Sequence, residues 1–401
     1  MFLETTLPNG LKVIGEKNPE ALSVAMGFLA RAGSRDEPLE LNGVSHFLEH
    51  MLFKGSETMS AQQINHQFDA LGANYNAFTS EEVTVYHAAV LKEHSSALQH
   101  LLTELLKPAF RPEDFEVEKQ VILEEIQMYQ DDPITRLFDA AREHFWGAHP
   151  LGRSVLGTPE TVGNLQVDAM REYFQTLYAP NNLIFAVTGA FDWDQVVSQL
   201  ADETARWTPR EVHRKYPEFK PTFETKTLRE KQLNRTSMAL MGCGLAATHE
   251  KRIPMNVLAE LLGGENSRLH WALVHVGLAD EATFSHVDGD GIGYLEAFIS
   301  THPRKAKEAL QVFRKVIEEA RENLSEAELS RARNKLALQS ALRFETPYNR
   351  LFHLGLEHLY TGHYLSTEEA VQAIQKVTLE EVQDLLRSSL FDQFSLTVQG
   401  P

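Results

Sequence analysis

A single cysteine, Cys243, stands in 401 residues. That excludes an intrachain disulfide framework and any multi-cysteine zinc site. No apolar run approaches the length needed to cross a bilayer, and segments such as LIFAVTGAF have the length of a buried strand. The opening MFLETTLPNGLKVIGEKNPE lacks a basic segment leading into an apolar one, so it does not read as a signal peptide. A cytoplasmic protein without a membrane partner is the expectation. Basic charge is scarce: 38 Lys and Arg against 56 Asp and Glu give a net charge of −18. This argues against a nucleic-acid partner, because phosphate binding needs clustered cations. Phosphate loops are missing as well, since ELLGGENSRL fits neither G-x-x-x-x-G-K nor G-x-G-x-x-G and reads as a helix-ending turn.

What is present is a chain too long for one ordinary core, with a distant internal repeat. LSVAMGFLARAGS reads as a strand followed by the helical GVSHFLEHMLFKGS, and TSMALMGCGLAAT as a strand followed by the helical IPMNVLAELLGGENS. Each half continues with two long helical stretches and closes on a helix, a turn and a strand, VDAMREYFQTLYAPNNLIFAVTG and LEEVQDLLRSSLFDQFSLTVQG. Alternating strands and helices in two copies imply an α+β protein of two homologous domains, each a mixed or antiparallel sheet packed by helices. Pro209, Pro217 and Pro221 among clustered charges mark a linker, placing the domains at 1–210 and 222–401.

The copies differ in their first helix. His46, Glu49 and His50 form H-F-L-E-H, an inverted zinc motif. On a helix, positions i, i+3 and i+4 share a face, so both imidazoles converge on one ion. Val44, Phe47, Leu48, Met51 and Leu52 form the adjoining buried stripe. With 17 histidines, the motif arises by chance in roughly one such chain in twenty, so it needs support from elsewhere. A catalytic zinc takes three protein ligands and leaves one position for water. In PEDFEVEKQVILEEIQMY, Glu118, Ile122, Glu125 and Tyr129 recur at helical intervals, which sets two carboxylates on one face about 10 Å apart along the axis. One is expected to ligate zinc and the other to orient a histidine. Glu124 is turned away by roughly 100°.

These segments resemble the pitrilysin or insulinase family of zinc metallopeptidases, which includes insulin-degrading enzyme and the mitochondrial processing peptidase. GVSHFLEHMLFKGS is similar to the family's metal helix, EVEKQVILEEIQMYQDDP to its third-ligand helix and LGANYNAFTSEEVTVYHA to its substrate strand. HPLGRSVLGTPETVGNL and YAPNNLIFAVTG are similar to the end of its first domain. The resemblance implies that His46, His50 and Glu125 bind Zn2+, that Glu49 is the general base, and that Glu118 orients a histidine. It makes residues 74–78 the edge strand that pairs with an extended peptide substrate, with Asn76, Ala77 and Phe78 as candidate contacts. Small bacterial and mitochondrial members dimerise to enclose a four-domain chamber, which implies a homodimer or a heterodimer with a homologous chain.

The match breaks in the second half. Active members present an Arg and a Tyr in a segment of the form S-R-L-x-x-x-x-R-x-x-x-G-L-A-Y, whereas this chain has NSRLHWALVHVGLADEATFS. Val274 falls near the expected Arg, Asp280 takes the place of the Tyr, and Arg268 or a nearby His is the internal alternative. A zinc endopeptidase dependent on a partner chain is expected. The competing expectation is a non-catalytic structural or binding subunit of the same fold. His66, His87, His94, His100, His144 and His149 lack ligand spacing, and Cys243 has no acid–base partner.

Overall fold

The computed structural model describes residues 1–401 and divides them into two compact units. Its strands are β1 (Phe2–Thr6), β2 (Lys12–Lys17), β3 (Ser23–Ala30), β4 (Asn74–Thr79), β5 (Thr84–Leu91), β6 (Leu183–Gly189), β7 (Thr225–Arg229), β8 (Thr236–Gly244), β9 (Glu281–Asp288), β10 (Gly293–Thr301) and β11 (Ser395–Gly400). The first eight helices are α1 (Val44–Leu52), α2 (Ala61–Ala70), α3 (Ser95–Leu105), α4 (Pro112–Asp131), α5 (Pro133–Trp146), α6 (Pro159–Asn164), α7 (Val167–Leu177) and α8 (Trp193–Glu203). The others are α9 (Arg252–Gly263), α10 (Ala306–Asn323), α11 (Glu326–Arg343), α12 (Pro347–Thr361), α13 (Thr367–Lys376) and α14 (Leu379–Arg387). None is long and apolar enough to cross a membrane.

The architecture is two mixed sheets, each flanked by helices. In unit 1 the order is β1-β2-β6-β3-β5-β4, and in unit 2 it is β7-β11-β8-β10-β9. Setting β1 aside, the two orders are the same, and so are the directions. β2 runs parallel to β6 and β7 to β11, while every later pair is antiparallel. The duplication read from the sequence therefore extends to topology, and β4 and β9 are matching edge strands.

The units are not contiguous stretches of chain. Unit 1 comprises Met1–Met128, Arg153–Lys215 and Arg343–Leu365, and unit 2 comprises Tyr129–Gly152, Tyr216–Leu342 and Ser366–Pro401. Each half of the sequence, 1–210 and 222–401, thus donates a helix to the other unit. Leu351 and Leu354 of α12 pack on Ile14, Ala25, Leu29, Val85 and Ala186 of the first sheet. Leu137, Ala141 and Phe145 of α5 pack on Ala239, Met241 and Phe298 of the second. Both donated helices start alike, with Pro133 or Pro347 in the first turn and the Asp132 or Thr346 side chain accepting from the backbone N–H three residues on. Such caps satisfy otherwise orphaned donors where the chain changes direction. From the end of α8 to Thr225 there is neither helix nor strand, as expected for the Pro-rich stretch.

On the first sheet, the face opposite α12 carries the larger core, where Phe47, Leu48, Met51 and Leu52 of α1 meet Phe115 and Ile122 of α4 and Tyr86 of β5. This packing presses the helix with the H-x-x-E-H motif between the sheet and α4.

Candidate metal centre

Helix α1 starts under tight constraint. Gly43 precedes it at φ +97°, a left-handed conformation, and a Cβ there would lie 2.6 Å from the Leu156 carbonyl oxygen. Only glycine fits. The buried Glu37 carboxylate accepts from the Gly43 and Ser45 N–H groups and from Asn42 Nδ2, each at 2.8 Å. Burial pushes Glu37 up to about 7, against the pull of these donors. Bonds from N–H groups to a carboxylate are worth about 1.5–3 kcal/mol each, so Glu37 anchors the end of α1 nearest His46. The Ser45 and Tyr173 hydroxyls share a further bond of 2.7 Å.

His46 is buried, and burial lowers it to about 4, so it is neutral with a lone pair to offer. Its Nε2 lies 3.8 Å from Glu125 Oε1, and His50 Nε2 lies 3.7 Å from Glu125 Oε2. Ligand atoms of His46, His50 and Glu125 all fall within 4.8 Å of one another, and no other cluster in the chain meets the same test. A tetrahedral zinc about 2.1 Å from each donor spaces its ligands ~3.4 Å apart, so small side-chain adjustments suffice to close the set. Two imidazoles and a carboxylate are also the donor chemistry of a catalytic zinc site.

Glu118 does not join the cluster, because it is occupied on the far side of His50. The His50 Nδ1–H donates to Glu118 Oε1 at 2.8 Å, and Lys54 Nζ pairs with Glu118 Oε2. Burial raises the Glu118 carboxyl, but the His50 and Lys54 bonds outweigh it and the acid titrates below its ordinary value. A carboxylate that can only accept fixes the proton on Nδ1 and leaves Nε2 free for an ion. Burial pulls His50 down, yet the Glu118 bond and the charges of Glu49, Glu118 and Glu125 hold it above its ordinary value. The position thus attracts positive charge, which a divalent cation supplies more fully than a proton.

Glu49 lies on the same face of α1. Its Oε2 accepts from the Thr79 hydroxyl at 2.6 Å. Burial raises Glu49 most; the Thr79 bond and His50 oppose that, Glu125 adds to it, and the net result is a carboxyl above its ordinary range. The Thr79 bond also fixes the direction in which this carboxylate points.

Strand β4 forms the open edge beside α1. The Ser80 N–H donates to Val83 O at 2.9 Å across the turn into β5. Antiparallel pairing alternates, so with Thr79 opposite Thr84 and Ala77 opposite Tyr86, the backbone groups of Ala77 and Thr79 face outward. The Ala77 N–H agrees with this parity, since it donates to the Asn76 side chain at 2.9 Å. The three predicted strand residues are therefore not equivalent. Ala77 is buried on the α1 side and Asn76 is exposed. The Phe78 ring lies against His87 and Phe352 of α12, with centroids 6.3 and 6.0 Å away.

The remaining histidines stay outside the centre. His100 pairs with Glu203, His149 stacks on Trp146, and His87 packs against Tyr348 and Phe352. Glu124 is exposed. Cys243 is half-buried in β8, and burial raises its thiol. In unit 2, Val274 packs against the core and Asp280 pairs with Arg235 at 3.2 Å. Arg268 is forked onto both Glu328 oxygens at 2.7 and 2.9 Å and bonded to Asn323, which engages four of its five N–H donors. Sequence reasoning missed Glu37, Lys54 and Thr79. Lys54 lies four residues after His50, a spacing that helix geometry could have flagged. Glu37 acts from six residues before its glycine, outside the reach of local capping rules.

A profile of the family described as Insulinase (Peptidase family M16) matches residues 12–159, and one described as Peptidase M16 inactive domain matches residues 164–336. A Bacillus subtilis protein described as uncharacterized zinc protease YmxG is 31% identical over 100% of this chain and 98% of its own length. A protease from Helicobacter pylori superposes with TM-score 0.91 at 19% identity, covering 100% of both chains. A chain of complex III2 from Candida albicans superposes with TM-score 0.86 at 18% identity, covering 99% of this chain and 95% of that one. The last two likenesses are of fold alone.

Proposed function

The chain belongs to the insulinase family of peptidases, M16, and from that membership we propose that it is a zinc-dependent endopeptidase cleaving extended peptides or unfolded segments. One observation carries the reading: His46, His50 and Glu125 converge while Glu49 stands on the same helix face with its carboxylate held by Thr79. The description of the Bacillus subtilis relative as a zinc protease agrees with it. Zinc held by the two histidines and Glu125 would supply Lewis acidity toward a water and toward the scissile carbonyl. Glu118 keeps the His50 ring in one tautomer. Glu49 takes a proton from the attacking water at a carboxylate oxygen and returns it to the leaving amine. The outward N–H and C=O groups of Ala77 and Thr79 hold the peptide as an added strand, with Asn76 yielding the Ala77 N–H as the peptide arrives. Phe78 supports this strand from behind.

A second reading, a non-catalytic subunit of the same fold, rests on Val274 and Asp280. Neither side chain offers a donor to a developing oxyanion, and most of the Arg268 donors are held by Glu328 and Asn323. One missing donor costs about 10²–10³ in rate. A homologous chain carrying the Arg and Tyr, joined in a dimeric chamber, would make up that deficit, and a homodimer using other donors is the simpler alternative. Assaying an unstructured basic peptide with the wild type and Glu49→Gln, each alone and with such a chain, separates these readings. Turnover lost in Glu49→Gln with zinc retained supports the peptidase. Equal turnover in both would contradict it, and rescue of a weak wild type by the second chain supports the heterodimer.

A further inference from the structure

Thr79 takes part in two structures at once. Its backbone closes β4 at the open edge, with N–H and C=O turned outward by the pairing parity of the β4–β5 turn. Its side chain, on the opposite arm of the same Cα, donates a 2.6 Å hydrogen bond to Glu49. We propose that Thr79 is a positioning residue that ties peptide docking on the edge of β4 to the aim of the Glu49 carboxylate. The inference rests on Glu49 being the general base.

The surroundings leave Thr79 little freedom. Ser80 locks the turn behind it, its hydroxyl donating to Val83 O at 3.1 Å and accepting from the Glu82 and Val83 N–H groups at 3.2 and 3.1 Å. Opposite it in β5, the Thr84 hydroxyl donates to Ala32 O at 2.9 Å and lies 3.5 Å from the Thr79 hydroxyl. Deeper still, the Tyr86 and Tyr178 hydroxyls share a 3.1 Å bond and are fully committed to the interior. Among the hydrogen bonds to Glu49, the Thr79 bond is the only one made by a side chain, so the carboxylate takes its orientation from the strand. A peptide that pairs with the outward groups of Ala77 and Thr79 stiffens the edge to which the base is tied. Docking and proton transfer are thereby linked through one residue, which needs a hydroxyl for its side-chain role and any non-proline backbone for its docking role.

This division of labour makes the test specific. Thr79→Val removes the hydroxyl, keeps the β-branched shape and keeps the backbone N–H. Thr79→Ala is a second hydroxyl-free variant, and Thr79→Ser restores the donor. With an unstructured fluorogenic peptide, Thr79→Val and Thr79→Ala should lower kcat about 10- to 100-fold, since a misaimed catalytic group costs rates of that order. KM should stay within about twofold, because binding shared by ground and transition states is untouched. Zinc content and binding of the same peptide, followed by fluorescence anisotropy, should match the wild type, and Thr79→Ser should recover most of kcat. Wild-type kcat in both hydroxyl-free variants would overturn the proposal, as would a loss confined to KM, or Thr79→Ser as impaired as Thr79→Val. Glu49→Gln run in parallel keeps the underlying reading separate: full turnover in that variant would remove the base assignment itself.

Discussion

Helices α1 and α9 occupy equivalent places in sheets of equivalent order, and their buried stripes align: Phe47, Leu48, Met51 and Leu52 against Val257, Leu258, Leu261 and Leu262. In that alignment His46 corresponds to Asn256, Glu49 to Ala259 and His50 to Glu260. Each helix also reaches its edge strand through a polar bond, but the chemistry diverges. Glu49 meets the Thr79 hydroxyl and keeps one oxygen available. Asn256 meets His286 at 2.7 Å, and the other nitrogen of that ring is within bonding distance of the Leu245 backbone, so the clasp is closed. On the far side, His50 faces Glu118 and Glu125 of α4, whereas Glu260 faces Lys335 of α11 at 3.7 Å. One scaffold thus supports an ion-binding face in unit 1 and a self-neutralised ion pair in unit 2. The hydrophobic stripe sets the helix in both units, and the three polar positions beside it carry different side chains.

That contrast predicts a graded set of effects. Replacing the ligating acid, Glu125→Gln, leaves a poor neutral donor and should weaken zinc binding by on the order of 10³-fold, measured by competition with a chelating dye. Glu118→Gln should weaken it by about 10- to 100-fold, as loss of a partner that orients a ligand does. In unit 2, the same acid-to-amide change at the position that aligns with His50, Glu260→Gln, should leave zinc binding unchanged. Zinc loss in Glu260→Gln equal to that in Glu118→Gln would erase the distinction between the two helices.

The smallest effect belongs to unit 2 alone. Arg268→Met breaks the fork onto Glu328 and should cost about 1–2 kcal/mol of stability without altering zinc affinity. The pH dependence gives the sign. Burial raises Glu328, but bonds from Arg268 and Ser325 outweigh it and lower the acid from 4.5 to about 2. Its stabilisation is therefore complete above 4.5 and lost as pH falls through about 2. Arg268→Met should flatten that fall in denaturant titrations between these values. A variant with wild-type stability and an unchanged acid limb would show that the fork contributes nothing.

Much of this site could be read from residue order because helix geometry is local. H-x-x-E-H sets three side chains on one face, and the seven-residue interval from Glu118 to Glu125 places one acid against His50 Nδ1 and the other in the cluster with His46 and His50. What residue order could not convey depends on distant parts of the chain. The donation of α5 and α12 between units follows from which apolar face each helix covers, and both helices look ordinary in isolation. Glu37 caps a helix across a turn of irregular chain. Thr79 gains its role only when β4 is placed beside α1. Pairing parity likewise lies beyond residue order: Ala77 presents backbone to the open edge, while Phe78 turns its ring toward α12. The departures at Val274 and Asp280 were visible as residue types, whereas the engagement of Arg268 by Glu328 and Asn323 needed the fold.

In the proposed peptidase, α1 and α4 together hold one zinc ion. Metal analysis of the purified chain, of His50→Ala and of His94→Ala tests it most directly, because His94 lies outside the cluster of His46, His50 and Glu125. About one zinc per chain is expected in the wild type and in His94→Ala, and essentially none in His50→Ala. Full zinc occupancy in His50→Ala would contradict it.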